Sequence, residues 1–310
     1  MIITVTPNPA IDQTVFVSGL SLGEVNRFRE SQLDHAGKGV NVSRMVHRLG
    51  WPTFAFGFLA GEIGAIVERT LNGEGVQHHF IDVPGQTRLN TTLVDLDGRG
   101  ATSFYGPGPT VGEIQVGRLD DLLGFWLRGS GVAVLAGSLL PGMPPDAYAR
   151  YIRMAHSAGI KAILDADGEA LAQGIAAKPA LIKPNRLEAE HLLGRPLKDI
   201  PDVVQGAREL VEGGAGAVVI SMGARGAVCV SAKEAWLAVP PPVDLKSTVG
   251  SGDSMVAGLA IALVTGQPLS EGLRLGTAAG AATAMVPGTM RNDPPIPPDA
   301  RTPKASERRR

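Results

Sequence analysis

Short, unbroken apolar runs recur along this chain with helix-periodic segments between them, and that alternation restricts the fold more than any other feature. The runs Ile2–Thr6, Phe54–Phe58, Val132–Ala136, Ile160–Leu164, Ala180–Lys183 and Ala217–Ser221 have strand length. Most do not alternate apolar with polar, so both faces of those strands should be covered. Helical spacing falls near Ile63–Leu71, Pro145–Ala155, Val203–Val211 and Asp253–Val264. Strand and helix in turn predict an α/β protein with a mostly parallel sheet between helix layers. Ligands of such sheets sit beyond the carboxyl ends of the strands. The residues expected there are polar or glycine: Asn8 and Asp12, Gly137 and Ser138, Asp165, Asn185, Met222 and Gly223.

Two stretches break the pattern. Gln13–Arg29 has a mixed polarity, and Thr91–Tyr105 reads as a hairpin turning at Asp97-Gly98. These stretches, about 13–30 and 88–106, are expected to pair into a small sheet projecting as a lid. Its exposed edges would be suited to dimerisation.

The net charge of −1 gives no electrostatic case for nucleic acid or an acidic membrane. One cysteine, Cys229 in the strand-like run Ala227–Val230, excludes an internal disulfide and suits a reducing, cytoplasmic setting. The first residues read as a strand, not a leader peptide, and no apolar stretch is long enough to span a bilayer. From Pro294 the chain is proline-rich without apolar periodicity, which predicts a disordered tail over 294–310 after one domain of 1–293.

The chemistry is concentrated in Ser247–Gly258. A Gly250-Ser251-Gly252 turn runs into an apolar helix, with Asp253 at the junction. Glycines let several N–H groups converge, and the helix start adds positive dipole character. The result is an anion cradle with a carboxylate at its rim, as phosphoryl transfer to an alcohol requires. No Gly-Lys-Ser/Thr closes the turn, so it is not a Walker loop. Taken alone, it also fits a capped helix.

Other groupings are less specific. Gly37-Lys38-Gly39-Val40-Asn41 precedes a helix carrying Val42, Met45, Val46 and Leu49 on one face, with Gly50 as its stop. Asp12 has the chemistry to accept from two neighbouring hydroxyls or to form a local turn. Asn185 and Glu188 are spaced for Mg²⁺ or its waters, and equally for a capping box. Arg88 and Arg27 carry the fork that matches a phosphate.

Together these segments resemble the ribokinase-like (PfkB) carbohydrate kinases. The resemblance rests on 37–44, the Asn185–Glu188 pair, Ser221-Met222-Gly223 and Thr248–Ser254, and covers roughly residues 1–290. It implies a three-layer sandwich with a projecting β lid, ATP and Mg²⁺ as cofactors, and a sugar substrate. By the same resemblance Asp253 would take the hydroxyl proton, while Gly250, Ser251 and Gly252 would hold the transferring group. Asn185 and Glu188 would organise Mg²⁺. Lys183, Asn185, Ser221, Gly223 and Gly226 would line the nucleotide. Asp12, Gly37, Lys38 and Asn41 would hold the sugar. Arg88, Ser138 and Arg27 would meet its existing phosphate. The stretches Thr4–Asp12, Ala136–Leu139, Gly168–Leu171 and Pro240–Val243 place the chain nearest the sugar-phosphate branch. Leu140 and Asp167 depart from the usual residues, without removing a group the chemistry needs.

Glu24-Val25-Asn26-Arg27 and Thr87-Arg88-Leu89-Asn90 look like members acting on fructose 1-phosphate, which would give fructose 1,6-bisphosphate. Gly57–Gly64 and Val249–Asp253 look like tagatose-6-phosphate kinases, the alternative, with 6-phosphofructokinase beyond it. A binding protein without catalysis is disfavoured because Asp253, the cradle and both metal-side residues are present. A nucleoside kinase is disfavoured because Arg27 and Arg88 would then meet no phosphate.

Overall fold

The computed structural model describes residues 1–98 and 100–286. The expected domain end at 293 and the tail over 294–310 lie outside the described residues. A nine-stranded sheet forms the centre. Its strands are β1 (Ile2–Thr6), β4 (Thr53–Leu59), β5 (His78–Asp82), β8 (Val132–Ala136), β9 (Lys161–Asp165), β10 (Leu181–Ile182), β11 (Ala217–Ser221), β12 (Ala227–Ser231) and β13 (Ala235–Ala238). The spatial order is β13-β12-β11-β10-β9-β8-β1-β4-β5, parallel from β11 to β5 and antiparallel at the β12 and β13 edge.

Both faces are covered, as the unbroken apolar runs require. Ile3 and Val5, Ala133 and Leu135, and Val218 and Ile220 point into one core. That core is closed by α3 (Glu113–Leu127), α4 (Ala147–Ser157), α5 (Gly168–Ala176), α6 (Arg186–Leu193) and α7 (Ile200–Glu212). The alternate residues Ile2, Val132, Val134, Ala217 and Val219 point into the other core. It is closed by α1 (Lys38–Arg48), α8 (Ser251–Thr265) and α9 (Leu269–Ala284). The helix α2 (Gly61–Glu74) packs Val67 and Leu71 against Ala55, Leu59 and Phe80.

The expected lid is a four-stranded sheet, but with different bounds. Its order is β3 (Glu30–Ala36), β2 (Ala10–Val17), β6 (Arg88–Asp95) and β7 (Gly100–Phe104). β2 begins before residue 13, leaving most of the remainder of 13–30 as a loop. β3 has no sequence signal: Glu-Ser-Gln-Leu-Asp-His-Ala lacks period-two apolarity because much of it is exposed. The hairpin does turn at Asp97-Gly98, where Gly98 has φ +87° and the Asp95 carboxylate accepts from the Asp97 N–H.

Helix α8 is buried from Asp253 to Ala262 because α9 lies directly on it. A Cβ on Gly258 would stand 2.4 Å from Gly276 N, and one on Gly276 would stand 2.5 Å from Met255 O. Alanine gains about 1 kcal/mol over glycine in helix propensity, whereas overpacking costs about 1–3 kcal/mol, and the obstructing atoms here are backbone. Gly276→Ala is therefore expected to lower the melting temperature by a few degrees. Gly73→Ala in α2, where an added Cβ meets nothing, should raise it slightly. Thermal melts of both variants check the sign.

Candidate active site

Helices α1 and α8 start at the carboxyl edge of the sheet and open toward the same space. Gly37, at φ +130°, is the N-cap of α1, and a Cβ there would crowd Pro9 and Thr6. Gly250, at φ +78°, is the N-cap of α8. Neither helix has a side-chain cap. The first i−4 bond of α8 runs from Ser254 N to Gly250 O, so the N–H groups of Gly252 and Asp253 lack intrahelical acceptors. The anion cradle read from the sequence is thus open and uncapped.

Asp253 is buried at the rim. Its Oδ2 accepts from Asn41 Nδ2 at 2.8 Å, linking the two helices. Burial, then the nearby Asp165 charge, pushes its carboxyl up to about 6, against opposing pulls from Asn41, Lys38 and Lys183. The other Asn41 side-chain atom, Oδ1, is buried without a hydrogen-bond partner among the described residues.

Beneath the cradle lies a charge cluster. Asp165, 1% exposed, faces Lys38 Nζ at 3.0 Å and Lys183 Nζ at 3.3 Å. Burial alone would raise the Asp165 carboxyl, but Lys183 and Lys38 outweigh it and hold the group below its ordinary range. Burial would likewise lower the Lys38 ammonium, but Asp165 and Glu188 hold it above its ordinary value. Lys183 Nζ is 3.4 Å from where a Gly252 Cβ would stand, so that ammonium adjoins the cradle. In the sequence Asp165 is marked only as a lone aspartate after the apolar run 160–164.

Asn185 and Glu188 form a complete capping box at α6: Asn185 Oδ1 accepts from Glu188 N at 2.9 Å, and Glu188 Oε2 accepts from Asn185 N at 2.7 Å. Glu188 Oε1 still faces Lys38 at 3.6 Å. Ser221 bridges to Asn185 at the end of β11. Gly223, at φ +61°, is exposed on a single 3-10 turn, with open space where a Cβ would stand. Gly226 has a reason inside the fold: a Cβ would fall 1.9 Å from Ala238 O on the neighbouring strand.

A second corner forms at the lid base. Arg88 Nη2 donates to Asn8 O at 3.0 Å and Nη1 to Gly106 O at 3.3 Å, leaving Nε buried without a hydrogen-bond partner among the described residues. Burial lowers the Arg88 guanidinium from its ordinary value, against the charges of Asp12 and Asp167; it stays cationic. Asn8 Nδ2 reaches Ser138 Oγ at 3.2 Å. Asp12 accepts from Asn90 Nδ2 at 2.7 Å, and burial raises its carboxyl. Arg27 is not brought here. It is exposed on the loop after β2, with no ion pair or hydrogen bond among the described residues.

A cavity of about 460 Å³ lies elsewhere, lined by His156, Lys161 and Lys178 near the amino ends of β9 and β10. His156 lies in the last turn of α4, and Lys178 follows the C-cap of α5.

Residues 5–296 match the pfkB family carbohydrate kinase profile, and the chain belongs to that family. Such enzymes transfer a phosphoryl group to a sugar hydroxyl. It is 39% identical to a 1-phosphofructokinase of Rhodobacter capsulatus, over 89% of this chain and 88% of that one. The crystal structure of Escherichia coli phosphofructokinase-2 in complex with fructose-6-phosphate superposes with a TM-score of 0.84 at 30% identity, covering 93% of this chain and 95% of that one. An Arabidopsis thaliana ribokinase shares the fold, with a TM-score of 0.78 at 22% identity, covering 92% of each chain.

The raised Asp253 carboxyl has a consequence for stability. The folded chain holds that proton more tightly than the unfolded chain, whose carboxyl titrates near 3.9. Stability therefore falls as pH rises from about 4 to about 6, and the ionised group above that costs on the order of 2–3 kcal/mol. Asp253→Asn should melt higher than the parent at pH 7.5, with the difference shrinking toward pH 4. Calorimetry across that range would show no such trend if the carboxylate were not strained by burial.

Proposed function

We propose that this protein is an ATP-dependent kinase of ketohexose phosphates that converts fructose 1-phosphate to fructose 1,6-bisphosphate. The observation that carries the reading is the pairing of two corners across the Lys38–Asp165 bridge. One holds a buried carboxylate beside an open helix start; the other holds an arginine with an unpaired Nε. A sugar phosphate spanning them would present a hydroxyl to Asp253 and its existing phosphate to Arg88 and Ser138. The 39% identity to a 1-phosphofructokinase favours fructose 1-phosphate.

In this reading Asp253 accepts the hydroxyl proton as the bond to phosphorus forms. The backbone at Gly250, Ser251 and Gly252 holds the transferring group, with the free N–H of Gly252 facing it and Lys183 beside it. A loose transition state needs positioning more than a strong base. Asp12 and Asn41 hold sugar hydroxyls, and Gly37 with Lys38 closes that side. The nucleotide lies along Ser221, Gly223 and Gly226, the last also held close to Ala238 of the neighbouring strand. Mg²⁺ fits the donor set at Asn185 and Glu188 only as a phosphate-borne ion. One carboxylate and one amide suit Mg²⁺ that keeps its waters and phosphates, and no cluster of three His, Cys, Asp or Glu side chains that could hold a metal occurs among the described residues. When bound, it would neutralise charge on the transferring phosphates.

The lid leaves Leu22, Val25 and Phe28 exposed, an apolar patch suited to a second copy of this chain. A homodimer through the lid is part of the proposal, as is a cytoplasmic location, where ATP and sugar phosphates meet. Among the described residues no helix is long and apolar enough to cross a membrane. Val25→Asp with Phe28→Asp should shift the protein to monomer in light scattering; an unchanged mass would place any interface elsewhere.

The test is turnover with Mg-ATP and fructose 1-phosphate, tagatose 6-phosphate or fructose 6-phosphate. The highest kcat/KM is expected for fructose 1-phosphate. Asp253→Asn should lower kcat by about 10²–10⁴-fold. Arg88→Ala should raise the KM for the sugar phosphate by about 10- to 100-fold, as loss of a charged hydrogen-bond partner does. In the parent, kcat/KM should fall as pH drops through about 6, where the free Asp253 takes up its proton. Preference for a 6-phosphate would overturn the substrate; absence of turnover on all three would favour a binding role.

A further inference from the structure

The order β9-β8-β1 sets three loops side by side at the carboxyl edge, and hydrogen bonds tie them together. Gly137 N donates to Asp165 O at 3.0 Å, Asn8 Nδ2 donates to Ser138 Oγ, and Arg88 donates to Asn8 O. The residues just after β9 therefore border the Arg88 corner. Along that extended stretch Asp165 faces the lysines, Ala166 is buried in the opposite core, and Asp167 comes next with the parity of Asp165. Asp167 is exposed and occupies the N-cap position of α5, yet its side chain makes no capping bond. At α6 and α7 the equivalent Asn185 and Asp199 side chains do cap. The Asp167 charge acts on both Arg88 and Tyr148, whose hydroxyl donates to Gly137 O at 2.8 Å. No carboxylate is within ion-pair distance of Arg88 among the described residues, so Asp167 adds negative potential to the corner without neutralising the guanidinium.

We propose that Asp167 is a specificity-determining residue: its carboxylate opposes the incoming phosphate and sets how strongly this site prefers a phosphorylated ketohexose to a plain one. The inference rests on the reading that Arg88 receives the sugar's existing phosphate. A phosphate dianion meets the Asp167 charge; a neutral sugar does not. The product carries the same phosphate at that end, so the opposition loosens substrate and product alike. Asp167 thereby moderates the grip that Arg88 supplies.

The experiment compares Asp167→Asn, Asp167→Ser and Asp167→Glu at saturating Mg-ATP. Removing the charge should lower the KM for fructose 1-phosphate by about three- to tenfold, the range for a partly exposed charge acting on a dianion. The kcat should stay within about twofold and the KM for ATP should not move, while the preference over fructose rises by the same factor. Asp167→Glu should resemble the parent, and added salt should shrink the difference between parent and Asn variant. An unchanged KM in the Asn and Ser variants overturns the proposal, and a raised KM does so too, assigning Asp167 to gripping a hydroxyl instead. Calorimetric titration of the free protein with inorganic phosphate separates this inference from the function it rests on. Phosphate binding that needs Arg88 and tightens without Asp167 supports it. Binding that needs Arg88 but ignores Asp167 overturns this inference alone, and binding indifferent to Arg88 overturns the corner itself.

Discussion

A single buried carboxylate organises the centre of this molecule. Asp165 ends β9 almost fully enclosed, with an ammonium group close to each oxygen. Taking these charges out of water is expensive, and their mutual attraction must offset it. Lys38 is the first residue of α1, and Lys183 follows β10, so the cluster fixes a helix start and two strand ends relative to one another. The Asp165 carbonyl also accepts from Gly137 N, joining the loop that carries Ser138. Removing the aspartate would leave two cations facing each other under a helix N-terminus.

The same cluster sets the surroundings of the buried Asp253. Burial and the Asp165 charge raise its carboxyl, Lys38 and Lys183 pull it back, and Asn41 donates to it from the opposite helix. The carboxylate is held in place by a neutral amide, not an ion pair, so its lone pairs are not locked to a cation. The strain of that arrangement is tolerated because α8 is otherwise apolar and closely packed on α9.

The α/β class, the parallel sheet and the start of α8 were legible because they depend on local signals: unbroken apolar strands and a glycine turn before a helix. Asn185 and Glu188 were legible as a capping box for the same reason. Asp165 was placed at the ligand edge, but its pairing was hidden, since its partner Lys38 is 127 residues away and no local pattern marks the pair. The Asn90–Asp12 contact, 78 residues apart, was hidden likewise. Helix α9 escaped because its many small residues give a weak apolar stripe; their smallness is what lets it lie against α8. At Gly226 the sequence could not show that a neighbouring strand carbonyl also demands glycine.

The lid is anchored where it is chemically busiest. Ala10 pairs with Arg88 and Asp12 with Asn90 at the first positions of β2 and β6, close to where β1 leaves the main sheet. Arg88 is bonded back to Asn8, only two residues beyond β1. The far end, around residues 18–29 and 96–98, lacks those ties. The sheet is therefore tied back to the main domain at the end that carries Asp12 and Arg88, not at its tip. In the proposed reading, gripping the sugar and shielding it from water fall to opposite ends of one sheet. Damage at the tip would appear as wasted hydrolysis of the phosphoryl donor before it appeared as weaker binding.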